Sequence, residues 1–274
     1  MNYGIHLDLP ANDYHALTGA SASQLRTLWQ STPAHLRASL DAPRAASPAM
    51  QLGTLAHSVI LEPDKPLPGV AIQPDEYEPG RKWTAAAKVC KEWRAAQEAA
   101  GLMVMKADEY DAAFGMARNL ATHPAAGPLL TDGRAEVSLV VRDEVNAVDC
   151  RARVDWLPNL HPAIVDLKTS SDASERAFTK KAYDLGYHIQ AAFYLDLWNA
   201  LMPSEPRTAF FFVVVENTAP FAVNVFECSP EFVELGRQHY QQALAVFARC
   251  CKENYWPAYA PTVHPLNLPR YAVQ

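Results

Sequence analysis

VDCRARVDWLPNLHPAIVDLKTS, residues 148–170, is the stretch whose reading decides the fold. Apolar and β-branched residues fill Cys150–Leu157 and Ala163–Leu167, and Pro158-Asn159 breaks between them, so two strands joined by a short turn are predicted. Side chains alternate along a strand, which puts Asp166 and Lys168 on one face, while Asp155 enters from the first strand. A hairpin that gathers two carboxylates and an amine is a seat for a divalent metal and an attacking water, and points to phosphodiester hydrolysis. Taken alone, the D-x-K spacing is a weak signal, because charged strand residues usually just face solvent.

Outward from this hairpin, Glu136–Arg142 reads as a strand before it, so that 136–142, 148–157 and 163–168 form three consecutive strands. Tyr183–Leu201 follows as a helix, with Tyr187, Gln190, Ala191, Tyr194, Leu195 and Trp198 at three-to-four spacing. Thr208–Val215 and Phe221–Glu227 are two further strands, and Pro230–Glu253 is an amphipathic helix capped by Ser229 with Pro230 at its first position. On the N-terminal side, Tyr14–Ser39 predicts a helical arm, entered at Ser21-Ala-Ser-Gln24 and broken at Pro33. Residues 41–49 read as a loop, and Met50–Leu61 as an apolar buried helix closed by Pro63. Residues 63–82 are expected to be irregular, with helices over Trp83–Ala99 and Lys106–Thr122. The order predicts an α+β fold, a small mixed central sheet flanked by helices, plus the N-terminal helical arm. The expected division is 1–48 for the arm, 49–260 for the main domain and 261–274 for a Pro-rich tail.

The composition suits a folded core: 49% of the 274 residues are hydrophobic and 20% charged. No apolar run is long enough to cross a bilayer, so no membrane partner is expected. The N-terminal MNYGIHLDLPANDYH lacks the basic and apolar regions of a secretory signal, and the five scattered cysteines fit free thiols, so a reducing cytoplasm is expected. A net charge of −6 is weak evidence against a nucleic-acid partner, since affinity follows local potential and acidic metal sites inflate the negative count.

Three further features bear on the chemistry. His57 lies in Gly53-Thr-Leu-Ala-His57 on the apolar helix, Glu136 opens the strand before the hairpin, and Gln190 and Tyr194 share a helix face one turn apart. Each alone has an ordinary reading: a core histidine, a solvent-facing carboxylate, a polar stripe. Basic residues able to meet phosphates are Arg81, Lys82, Lys88, Lys91, Arg151, Arg153, Lys180 and Lys181; Arg81-Lys82-Trp83 adds an aromatic ring to the charge.

Taken in order, Gly53-x-x-x-His57, Glu136, Arg153-x-Asp155, Asp166-x-Lys168 and Gln190-x-x-x-Tyr194 resemble the RecB-like branch of the PD-(D/E)XK nucleases. Asp13-Tyr14-His15, Ser21-x-Ser23-x-x-Arg26-x-Leu28, Pro33-Ala34-His35, Leu61-Glu62-Pro63 and Trp256-Pro257-x-Tyr259 narrow the resemblance to RecE-type (exonuclease VIII) nuclease domains, over about residues 10–260. The resemblance implies a PD-(D/E)XK core over 49–260. It also implies a Mg²⁺-dependent exonuclease, with Mn²⁺ substituting, that degrades the 5′-ended strand of linear double-stranded DNA. The 3′ tail left behind would feed a RecT-like single-strand annealing protein in phage-type recombination inside a bacterial host. A homo-tetramer ring threaded by DNA belongs to the same implication. Residue by residue, Asp155, Asp166 and the Leu167 carbonyl would hold metal, His57 and Glu136 would be auxiliary ligands, and Lys168 the catalytic lysine. Gln190 and Tyr194 would support the site, and Arg81, Lys82, Arg153, Lys180 and Lys181 would meet DNA.

Two alternatives stay open: an endonuclease of the same superfamily, and a catalytically silent DNA-binding protein with the same fold. An iron–sulfur cluster is not expected, because the first cysteine is Cys90 and Cys250-Cys251 are adjacent. The metalloprotease HExxH, the GxxxxGK[ST] phosphate loop and the GxGxxG dinucleotide motif do not occur.

Overall fold

The computed structural model describes residues 2–42 and 46–268. The predicted tail thus lies partly outside the described residues, at 269–274, as does the middle of the loop expected at 41–49, at 43–45. In chain order the elements are β1 (Gly4–His6), α1 (Ala11–Ala16), α2 (Ala22–Gln30), α3 (Pro33–Asp41), α4 (Pro48–Leu61), β2 (Val70–Ile72), β3 (Glu76–Glu78), β4 (Arg81–Lys82), α5 (Lys88–Ala99) and β5 (Met103–Met105). There follow α6 (Ala107–Thr122), α7 (Ala126–Thr131), β6 (Gly133–Asp143), β7 (Val148–Pro158), β8 (Ala163–Ser170), α8 (Glu175–Asp184), α9 (Tyr187–Leu201), β9 (Ala209–Glu216), β10 (Val223–Glu227) and α10 (Pro230–Glu253).

A six-stranded sheet in the order β1-β6-β7-β8-β9-β10 forms the centre. All neighbours are antiparallel except β8 and β9, which run parallel from Ala163↔Ala209 to Ser170↔Glu216. The parallel pair requires a crossover, and α8 and α9 supply it. One sheet face carries α2, α9 and α10, with Leu25, Phe193, Phe210, Phe212 and Leu244 buried together; the other carries α4 and α6, with Leu55, Met116, Leu167 and Val213. No described helix is long and apolar enough to cross a membrane.

The mixed sheet flanked by helices is the architecture expected from the sequence, and the five expected strands form. Three local readings change. The helix expected over 183–201 starts at Tyr187, because Gly186 adopts φ 68° and turns the chain there, and the residues before the turn belong to α8 (Glu175–Asp184), a helix the sequence reading did not expect. The arm is folded back into the core, its Leu25 and Leu36 packed with residues of α9 and α10. The irregular segment 63–82 contains the short strands β2 to β4, of which β2 pairs with β5 in parallel and β3 pairs with β4 as a hairpin.

Gly236 sets how closely α10 approaches α9: a Cβ there would lie 1.9 Å from the His188 carbonyl oxygen and 3.1 Å from the Ala192 Cβ. Backbone cannot swing aside as a side chain can. Gly236→Ala is therefore expected to destabilise the protein by about 3 kcal/mol, read as a lower denaturant midpoint; an unchanged midpoint would show that the helix pair yields freely.

Candidate active site

The hairpin does not zip evenly. β6 and β7 pair at Ala135↔Trp156 and again at Val137↔Val154, and the ladder skips Glu136 and Asp155 between them. Glu136 carries φ 54°, a conformation that costs a non-glycine residue roughly 1–2 kcal/mol. The consequence is a change of face. Val137 and Val154 pack under α9, whereas Ala135 and Trp156, two residues away, pack under α4. At this reversal both carboxylates leave the regular alternation and turn toward one cavity.

β7 and β8 are paired only at Trp156↔Val165. Beyond it the Asp155 Oδ2 accepts the Leu167 N–H at 2.9 Å, so a side chain replaces the ladder bond. The Leu167 carbonyl accepts from His57 Nε2 at 3.0 Å, and His57 Nδ1 lies 3.7 Å from Asp155 Oδ2. His57 thus reaches from α4 across to the split between the two strands. One ligand atom each from His57, Glu136 and Asp155 all lie within 4.8 Å of one another, close enough to share one cation. The mixed oxygen and imidazole donor set suits a hard or borderline divalent ion. Burial, then the charge of Asp166, push the Asp155 carboxyl up to about 7, so a cation here would relieve a real electrostatic cost.

Asp166 and Lys168 share a face, as alternation requires, and it is the face covered by α9. Asp166 is 1% exposed. Its Oδ2 lies 2.6 Å from Lys168 Nζ, and its Oδ1 accepts from Gln190 Nε2. Gln190 Oε1 in turn accepts from Lys168 Nζ at 3.2 Å. One glutamine thereby fixes acid and amine together. The ammonium also sits 4.6 Å from the centre of the Tyr187 ring. Burial pulls the Lys168 pKa down, but Asp166 and Asp155 more than offset it, and the net shift is upward, so the amine stays charged.

The cavity beside these groups measures about 350 Å³ and is lined by His57, Glu136, Asp155, Gln190 and Tyr194. Five expected site residues are thus brought together. Asp166 and Lys168 lie behind them, against α9, and the three-ligand group is made by one expected primary ligand and the two expected auxiliaries. Burial holds the Tyr194 hydroxyl well above its ordinary pKa, so it is a neutral donor. Arg153 also lines the cavity, but its guanidinium is engaged by Glu136 and the Leu9 carbonyl. The other expected DNA contacts stand elsewhere: Arg81 and Lys82 on the exposed β3–β4 hairpin, Arg81 3.3 Å from Glu78, and Lys180 paired with Asp184 on α8. Lys181 Nζ reaches Ser170 Oγ, at the end of the strand that carries Asp166, at 3.1 Å.

The remaining wall comes from the N-terminal segment: Tyr14, His15, Ser21, Ser23 and Arg26, with Arg151 from β7. Sequence reasoning assigned no site role to the first five. Their spacing, Asp13-Tyr14-His15 and Ser21-x-Ser23-x-x-Arg26, was the available signal.

Over the whole chain, a crystal structure of a "putative exonuclease" from Eubacterium rectale is similar in fold, with TM-score 0.64, 11% identity and 98% of each chain covered. A phage related exonuclease from Haemophilus somnus 129PT aligns over 75% of this chain and 94% of its own, at 12% identity and TM-score 0.34, too loosely to bear on the fold. No curated protein matches. A family model matches residues 21–266, a span that holds α2, the split hairpin, α9 and α10, and by that match the chain belongs to the PDDEXK-like domains of unknown function (DUF3799).

Proposed function

We propose that this protein is a divalent-metal-dependent exodeoxyribonuclease that hydrolyses linear double-stranded DNA. The observation that carries the reading is the convergence of His57, Glu136 and Asp155 on one point beside the Asp166–Lys168–Gln190 cluster. His57, Glu136 and Asp155 would hold the cation, with Asp166 and the Leu167 carbonyl adjoining. Mg²⁺, or Mn²⁺ in its place, fits the carboxylate-rich set. When bound it would acidify the attacking water and offset charge on phosphorus.

The protein's own groups do the rest. Lys168 brings a fixed positive charge to the developing negative charge of the phosphoryl group. Gln190 holds Lys168 and Asp166 in register, and Tyr194 offers a neutral hydroxyl to the cavity. Arg153 steadies Glu136 and faces the DNA. Arg81, Lys82, Lys180 and Lys181 would grip the duplex farther out. Attack on the 5′-ended strand, a 3′ tail passed to a RecT-like annealing protein, and a tetrameric ring belong to the same proposal and rest on the motif resemblance.

Incubation with Mg²⁺ and linear duplex labelled at either end tests activity and direction together. Early release of the 5′ label, with a circular duplex left intact, is the expected result. Rapid cutting of the circle would transfer the assignment to an endonuclease, and absence of cutting of both would leave a silent DNA-binding protein.

A further inference from the structure

We propose that Tyr187 is a positioning residue for the reaction: the face of its ring holds the Lys168 ammonium on the bearing from which it meets the phosphoryl group. The inference rests on the nuclease reading of the Asp166–Lys168–Gln190 cluster and adds to it a residue that the sequence presents only as one position of a helical spacing.

An ammonium carries three N–H donors on a flexible stem and has no fixed direction of its own. One donor of Lys168 Nζ goes to Gln190 Oε1 at 3.2 Å. Asp166 Oδ2 is nearer, at 2.6 Å, yet it accepts no hydrogen bond, so the two groups are close but out of line. Their attraction is that of charge for charge, which sets how near the amine comes and not where it points. One directional bond leaves a four-carbon stem room to swing. The Tyr187 ring closes that room. Its centre lies 4.6 Å from Nζ, inside the range over which a ring face attracts a cation.

The ring is itself fixed by the elements around it. Tyr187 is the first residue of α9, directly after Gly186, so the turn at φ 68° sets where its side chain leaves the backbone. Gln190 follows three positions on, which places amide and ring on one face of the helix. The ring stacks on Phe212, with centres 5.3 Å and planes 30° apart, and its centre lies 6.0 Å from that of Phe178 on α8. Phe212 is the β9 residue paired with Asp166 and is 1% exposed. The strand pairing that seats the carboxylate thus also backs the ring that seats the amine.

Without the ring, the amine is free to turn squarely onto Asp166. More of its charge would then be absorbed by that carboxylate, and less would reach the cavity where negative charge develops. The ring therefore acts on the rate of the chemical step and not on the grip on DNA.

The test uses the full chain with Tyr187→Leu, Tyr187→Phe and Phe212→Leu, each assayed with Mg²⁺ and linear duplex well below its melting transition. Tyr187→Leu is expected to lower kcat roughly tenfold with KM little changed. Tyr187→Phe keeps the ring face and should recover most of that rate. Phe212→Leu removes apolar packing from the same stack, but a ring whose centre is 5.9 Å from Nζ, and should lose less. A second readout needs no turnover. The ε-methylene protons of Lys168, assigned by comparison with Lys168→Ala, should be shifted upfield by the ring current in the wild type and in Tyr187→Phe, and should move back toward their ordinary position in Tyr187→Leu. Unchanged kcat in Tyr187→Leu, an equal loss in Phe212→Leu, or a Lys168 signal that Tyr187→Leu does not move would each overturn the role. Failure of the nuclease reading looks different: the wild-type chain would not cleave, and the Lys168 signal would still decide whether the ring holds the amine.

Discussion

Lys168→Ala is expected to lower kcat for linear duplex digestion by about 10²–10³-fold, while duplex binding and the fold persist. The expectation follows from what surrounds the amine. Its Nζ lies 2.6 Å from Asp166 Oδ2 and 3.2 Å from Gln190 Oε1, and its side chain is only 20% exposed. In such a place a positive charge acts on neighbouring negative charge with little screening by water. Removing it leaves Asp166 buried, with Gln190 as its remaining donor. A modest fall in melting temperature is therefore expected beside the loss of turnover. Lys168→Arg separates charge from shape: it keeps the counter-ion for Asp166 but cannot place a compact ammonium at the same point. Digestion by Lys168→Ala at the wild-type rate would remove Lys168 from the reaction and reassign the D-x-K pair to a structural role.

How far this site was legible in the sequence depends on which physical rule placed each residue. Asp166 and Lys168 were placed on one face by strand alternation, a rule that needs only local geometry, and α9 does cover both. The Gln190–Tyr194 spacing belongs to the same class of inference. Asp155 and Glu136 are different. Simple alternation puts residues 135 and 137, like 154 and 156, on one side of the sheet, and the structure puts them on opposite sides. The reversal depends on the positive φ of Glu136 and on the one pair, Glu136 and Asp155, missing from the ladder in an unchanged register, and neither leaves a signal in residue type, since glutamate is not a residue that favours such a turn.

The same distinction explains the fold. Long periodic segments such as α10 and β9 are recorded in their own residues. The α8–α9 break is a single glycine within an otherwise helical pattern, and the short strands β1 to β5 hold together only through tertiary pairing. The approach of the Tyr14 and Arg26 segment to Arg151 spans more than a hundred residues of chain. Spacing within the segment could suggest that it matters, but not what it touches.

Asp155→Asn is expected to abolish cleavage and, in metal-free buffer at pH 8, to raise the melting temperature. Burial first and the Asp166 charge second hold the Asp155 carboxyl at about 7, above the ordinary carboxylate range. A carboxyl whose folded pKa is raised binds more protons in the folded state than in the unfolded chain. Its contribution to stability is therefore greatest below the unfolded value, declines as pH rises toward 7, and stays unfavourable above it. His188 acts in the opposite sense over the lower part of that range: burial and then His239 hold it down at about 4, so its contribution is lost as pH falls from about 6.5. The difference between wild type and Asp155→Asn cancels the histidine and isolates the carboxyl. Asparagine can still accept the Leu167 N–H, so the split between β7 and β8 is preserved. At pH 8 the variant should melt higher by about 2–4 °C for each kcal/mol recovered, with the gap closing as pH falls below 5. Added Mg²⁺ or Mn²⁺ should stabilise the wild type by mass action and leave the variant nearly unmoved, because the neutral amide offers the ion no charge. A variant that melts lower than wild type at pH 8, or that gains as much from the metal, would show that Asp155 is not the carboxylate on which the cation site is built.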